Sequence, residues 1–411
     1  MTLLLCIVAG CGGGGGGGTG GSGGGGNPPP AGTTISATFS NANGAPMPNV
    51  IATSSGTFSG WTVATLSGGT LQYTLPPGVT QYAIAYYCQN NETIFEASTS
   101  DTVKPSLGCF PNNTATNVTF SYDVHNIAGA TQARIDVVNG SNAATSGAQA
   151  SVTGNYTFAP PFSVPAGNDD IMVKALDNSG DVLGAHIFRA QSISSGNTYP
   201  LTPLSSSETT TLQSVGASNA PSGWTLTYLG GIILADGSRF FMPDFSGSYA
   251  IPAASQVQPG DYFFAGAQAS PANNSSLTAA VVTANAPPAS VSLVAPFSYV
   301  GPTPADDPAF AFSYSGAFSV NGTIVYQVSM QWGTNSLGVT ATKSAVGSNP
   351  SIKVPNLAAT SSLFPNLPSG GVNVNWTAYV VDETPLDLTG AVLPPNFSTQ
   401  ITGAVGAYTA P

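Results

Sequence analysis

No stretch of this 411-residue chain carries a helical period; it is built from short β-rich runs separated by Gly, Pro, Asn and Ser. Such runs, bounded by residues that favour turns, are the pattern of strands, so the chain is predicted to be all-β. Candidate strands are Thr34 to Ser40, Gln81 to Cys88, Asn117 to Val124, Ala133 to Val138, Ile171 to Leu176, Trp224 to Leu229, Tyr262 to Ala267, Ile324 to Trp332 and Val372 to Val381. The abundance of Gly (49) and Pro (33) does not point to disorder, because hydrophobic residues make up 42% of the chain. Beyond residue 32, about 380 residues exceed one sandwich and suggest modules of about 100 each. The expected boundaries are 33–115, 116–204, 205–298 and 299–411.

A faint repeat supports that division. Tyr73-Thr-Leu-Pro-Pro-Gly78 leads into the run at Gln81, Tyr156-Thr-Phe leads through Gly167 into Ile171, and Tyr249-Ala-Ile leads through Gly260 into Tyr262. A fourth copy runs from Leu363 through Gly370 to Ala378. The physical reading is a strand, a turn in which Gly takes positive φ, and the next strand.

In the first module, Ile35-Ser-Ala-Thr-Phe39 precedes Asn43-Gly44-Ala-Pro-Met-Pro-Asn-Val50, then Tyr73 to Pro77 and the run at Tyr82. This order resembles the carboxypeptidase-regulatory, or prealbumin-like, sandwich. The resemblance covers about 60 residues, implies seven strands and brings no catalytic residue with it. For the later modules an immunoglobulin-like sandwich fits the patterning equally well.

The first 32 residues read differently. Leu3 to Ala9 is an apolar run far below the ~20 residues that span a membrane, so it targets rather than spans. Val8-Ala9-Gly10-Cys11 resembles the lipobox of bacterial lipoproteins. That resemblance implies removal of residues 1–10 as a signal peptide and lipidation of Cys11 as the first mature residue. Lipoprotein leaders carry a basic residue ahead of the apolar run, whereas only Met1 and Thr2 stand there, which predicts a start further upstream. Gly12 to Gly26 and Pro28-Pro29-Pro30 then form a disordered Gly/Pro-rich tether over 11–32, with an extended reach near ~50 Å. Gly12 after the cysteine resembles the pattern sorted to the outer membrane, so the expected location is the bacterial cell envelope.

Charge excludes one function class. Net charge is −11, the seven basic residues are scattered singly, and nothing before Glu92 is charged. Nucleic-acid binding needs clustered Lys and Arg, so it is not expected. Cysteine usage agrees with export. Cys6 lies in the leader and Cys11 is the lipid site, leaving Cys88 and Cys109 as the pair in the folded part. They are read as a disulfide, the alternative being two buried free thiols.

Candidate chemistry is sparse. Gly20-Gly-Ser22-Gly-Gly24 matches a nucleophile motif, but a glycine tether supplies neither the strand nor the helix the motif needs. The two histidines, His125 and His186, lack a serine elbow nearby in sequence and are read as solvent-facing or structurally bonded. Glu92 and Glu96 share a strand face about 13 Å apart, wider than glycosidase carboxylates, and are expected to be solvated. Asp177-Asn-Ser-Gly-Asp181 is read as a hairpin turn rather than a calcium loop. Asp306, Asp307, Asp382, Glu383 and Asp387 are read as acidic turns, and no metal or cofactor is expected. Trp61, Trp224, Trp332 and Trp376 are read as core anchors, exposed rings for sugar stacking being the alternative.

The functional expectation is a membrane-anchored, non-enzymatic binding, adhesion or scaffold lipoprotein. Its partners are the bilayer through Cys11 and a protein or glycan. The alternatives are a carbohydrate-binding lipoprotein and a glycosidase or peptidase with a site built from loops between modules.

Overall fold

The computed structural model describes residues 32–410, apart from 41–46, 57, 59, 89, 110–113, 140–141, 245–246, 304–307, 314–317, 319–321, 348–349 and 385–394. The leader, Cys11, the tether, Asp306, Asp307 and Asp387 therefore lie outside the described residues.

The first unit sets a pattern that recurs along the chain. Its strands are β1 (Thr34–Ser40), β2 (Val50–Ser55), β3 (Trp61–Ala64), β4 (Thr70–Thr74), β5 (Gln81–Cys88), β6 (Asn91–Ser98) and β7 (Ser106–Gly108). They form two sheets, β4-β1-β7 with β7 parallel to β1, and β3-β2-β5-β6. Ile35, Ala37 and Phe39 of β1 meet Tyr82, Ile84 and Tyr86 of β5 between the sheets. Cys88, the last residue of β5, is disulfide-bonded to Cys109 just past β7, tying the two sheets together.

The second unit repeats this order. Val118–Asp123 takes the place of β1, flanked by Thr153–Phe158 and the parallel Thr198–Pro200. Asn142–Thr145, Gln132–Asn139, Gly167–Leu176 and Val182–Ile193 form the four-stranded sheet. In the third unit the four-stranded order is Arg239–Phe241, Thr225–Ile233, Tyr262–Ser270 and Ser276–Ala284. The fourth unit has Asn335–Thr342, Thr323–Trp332, Asn373–Thr384 and Ser398–Thr409. It departs from the pattern at the place of β7, where Ser298–Thr303 lies antiparallel to Ala309–Ser313.

Strand alternation explains most of these cores. Val118, Phe120 and Tyr122 point inward while their neighbours stay half-exposed, the period of a sheet with one covered face. Gly78, Gly167, Gly260 and Gly370 all take positive φ, at 80°, 131°, 94° and 65°, just before or at the start of β5 and its three counterparts. A side chain there would be strained by its Cβ, so the turn that launches each of these strands selects glycine.

The four units are joined to one another as well as following one another along the chain. The four-stranded sheets of units three, four and one join edge to edge into one sheet of 12 strands. Ser276–Ala284 pairs antiparallel with Ser398–Thr409, and Asn335–Thr342 pairs parallel with β6. An unpaired edge exposes a row of N–H and C=O groups, and each junction satisfies two such rows. The joining also covers a second face of β5. Tyr82, Ile84 and Tyr86 belong to the first unit's core, whereas Ala85, with Val50, Ala52 and Ile94, belongs to a cluster centred on the fourth unit.

Candidate functional site

A group of linked polar side chains lies where the second unit meets the third. Asp136 and Lys174 sit on neighbouring strands, on the face turned toward the third unit, and both are buried. Lys174 Nζ donates to Asp136 Oδ2 at 2.5 Å and to the backbone carbonyl of Phe241 across the junction. Arg134 Nε donates to Asp136 Oδ1 at 3.2 Å. Burial works against the Asp136 charge, but the two cations and the Thr145 hydroxyl outweigh it and hold the carboxyl below its ordinary range.

Two further links cross the same junction. Arg189 holds the Asp261 carboxylate with both guanidinium arms, at 2.7 and 3.2 Å, and donates to the Gln256 carbonyl at 2.9 Å. His186 Nδ1 lies 2.6 Å from Glu208 Oε1, which also accepts from Gln256 Nε2 at 2.8 Å. Between these links runs one apolar cluster containing Val138, Met172 and Ile187 from one side and Ile232, Phe240 and Phe263 from the other. Each such side chain contributes about 1.5–3 kcal/mol on burial, whereas the attraction within a buried ion pair is largely offset by the cost of desolvating both charges. The apolar contact therefore holds the joint, and the charged links set its orientation.

His186 with Glu208 has the form of a base and its orienting acid, but among the described residues no hydroxyl or thiol bonds the imidazole. His125 Nδ1 pairs with Asp123 Oδ1 at 2.5 Å at an exposed strand end. Asp177 Oδ1 accepts from the backbone N–H groups of Ser179 and Asp181, which closes a hairpin turn with Gly180 at positive φ. No group of three or more His, Cys, Asp or Glu that could hold a metal ion occurs among the described residues.

A cavity of about 510 Å³ opens beside the seam between units three and four. Ser218, Val291, Ser292 and Gln400 are among its lining residues, and none of that lining is ionisable. Such a surface can donate and accept hydrogen bonds but cannot transfer a proton by acid–base chemistry.

No protein-family model and no curated protein matches the sequence. Among solved structures, one match is a chain titled as a Ca²⁺-stabilized adhesin that helps an Antarctic bacterium reach out and bind ice. It is 11% identical, with 92% of this chain and 99% of that chain covered, at a TM-score of 0.13. A superposition of that quality carries no argument about this chain.

The expectation for Glu92 and Glu96 is overturned: both are buried, with 2% and 4% exposure. They lie on β6, which pairs with Asn335–Thr342 and whose Ile94, between the two glutamates, packs into the fourth unit's core. Asp382, expected in a turn, is buried within Asn373–Thr384, where its Oδ1 accepts from the Gly322 N–H at 2.7 Å. Trp332 and Trp376 are buried in the fourth unit's core, and Trp61 and Trp224 are half-buried against neighbouring cores. Among the side chains described, Phe162 is an exposed aromatic ring, at 68%. The junction itself was not foreseen. The pairing of Lys174 with Asp136 leaves no local signal, since 38 residues separate them.

Proposed function

We propose that this chain is an exported bacterial lipoprotein, anchored through Cys11 at the outer membrane, that acts as a non-enzymatic binding, adhesion or scaffold body. The observation that carries the reading is the joining of three units into one 12-stranded sheet, with the second unit locked to the third by buried charge and apolar contact. Such a body resists relative movement of its units, which suits a spacer or a presented surface better than a hinged catalytic cleft. Seven strands in two sheets support a prealbumin-like first unit, and the leader supports the anchor.

Fractionation of producing cells, with mass analysis of the mature N-terminus, tests the anchor. The expected result is membrane association and a diacylglyceryl adduct on Cys11, both lost in Cys11→Ser. An unmodified, freely soluble mature protein contradicts it. Turnover on a glycoside or peptide panel that disappears on mutation of an acidic residue would overturn the non-enzymatic reading.

A further inference from the structure

The seam between the first and fourth units carries two carboxyl groups for which the described residues supply no ion-pair partner. Glu92 and Glu96 lie on one face of β6 with Ile94 between them, and Ile94 is packed into the fourth unit's cluster. On one side of Glu92 stands Tyr87 of β5 and on the other Leu337 of Asn335–Thr342; Glu96 stands between Ala83 and Ala341. Among the described residues neither glutamate is ion-paired, and Glu92 Oε1 is buried without a hydrogen-bond partner.

Everything else at the seam is a fastening. Asp101 Oδ2 accepts from Thr342 Oγ1 at 2.5 Å, from the Ser344 hydroxyl and from the Ser98 N–H. Gln81 Nε2 donates to the Ala345 carbonyl at 2.6 Å, and Ser336 N donates to the Asn90 carbonyl at 2.9 Å. The titratable groups on the elements packed around the pair are Tyr87 on β5, Asp101 beyond β6, Tyr326 on Thr323–Trp332 and the exposed Lys343 in the turn after Asn335–Thr342.

We propose that this seam is a pH-sensitive joint, sealed while Glu92 and Glu96 are protonated and loosened when they ionise, so that the first unit comes free of the fourth. Two charges forced onto a buried strand face without a cation must be rehydrated, and the face they share with Ile94 is packed against the fourth unit's cluster, so water reaches them when the two units part. Burial pushes Glu92 up to about 8 and Glu96 up to about 7. Folded-state values above the unfolded ones mean that the seam's stability is full below about pH 4.5 and is lost as pH rises through 7 and then 8. The proposal does not depend on the anchor; with the anchor in place, the unit released is the one nearest the tether.

Amide hydrogen exchange on the full chain at pH 6 and pH 9, corrected for intrinsic rates, tests this. Peptides covering 91–98 and 335–342 should lose protection by about tenfold or more at pH 9, while peptides covering 118–123 keep theirs. The double variant E92Q/E96Q should stay protected at both pH values. Equal wild-type protection at the two pH values overturns the proposal, as does a loss in E92Q/E96Q matching that of wild type. If the double variant fails to fold, the wild-type comparison and E96Q alone still decide the matter.

Discussion

Lys174 and Asp136 form a buried ion pair at 2.5 Å whose lysine also reaches across to the carbonyl of Phe241. Removing one partner strands a charge where water does not reach. Lys174→Met is therefore expected to lower stability by about 3–5 kcal/mol, and Lys174→Met with Asp136→Leu by much less. Chemical denaturation of the three proteins checks this; a double variant as unstable as the single one would contradict it.

Gly403 in Ser398–Thr409 and Gly338 in Asn335–Thr342 make a matched pair. A Cβ on Gly403 would lie 2.0 Å from Tyr379 Cδ1 and 2.7 Å from the Ala378 carbonyl oxygen, while one on Gly338 meets nothing within 4 Å. Gly403→Ala should cost about 1–3 kcal/mol through overpacking, and Gly338→Ala should be neutral or slightly stabilising. Thermal melts of both variants separate the two outcomes.

The Cys88–Cys109 bridge closes a loop with a sequence separation of 21. Replacing both cysteines with serine should lower the first unit's stability by about 3 kcal/mol in the chain-entropy account. Denaturation followed by exchange in peptides from β5 and β7 would show the loss there and not in the second unit. An unchanged midpoint would argue that the unfolded chain is already constrained.

Much of the architecture was readable from local pattern. The run Gln81 to Cys88 is a strand in the fold as in the sequence, and the repeated glycines mark the turns that open the corresponding strand in every unit. The joining of units left no such mark, because the partner of β6 lies more than 200 residues away and hydrophobic pattern reports only which face is apolar. One clue was present. Gln81 to Cys88 is almost continuously apolar rather than alternating, the signature of a strand covered on both faces. The burial of Glu92 and Glu96 was hidden for the same reason, since carboxylates ordinarily stay in water and the unit that covers them is distant in sequence.

Asp169 gives a second pH signature, in the second unit. Burial pushes its carboxyl up to about 6, against a hydrogen-bonding pull from Asn139 and with a further push from Asp170. Stability from this group is full below its unfolded value of 3.8 and is lost as pH rises through about 6. Asp169→Asn should flatten that decline, read as exchange protection of 167–176 between pH 4 and pH 7. A variant that declines as steeply as wild type would remove Asp169 as the cause.

The account's central claim is that the units form one body through shared sheet edges, and its most direct measurement is disulfide trapping across the seam. Thr93 and Gly338 are partners in the parallel register, close enough for a bridge when both are cysteine. Thr93→Cys with Gly338→Cys is predicted to form an intramolecular disulfide in the monomer under mild oxidation at pH 6. Free thiols, or only intermolecular dimers, would contradict it.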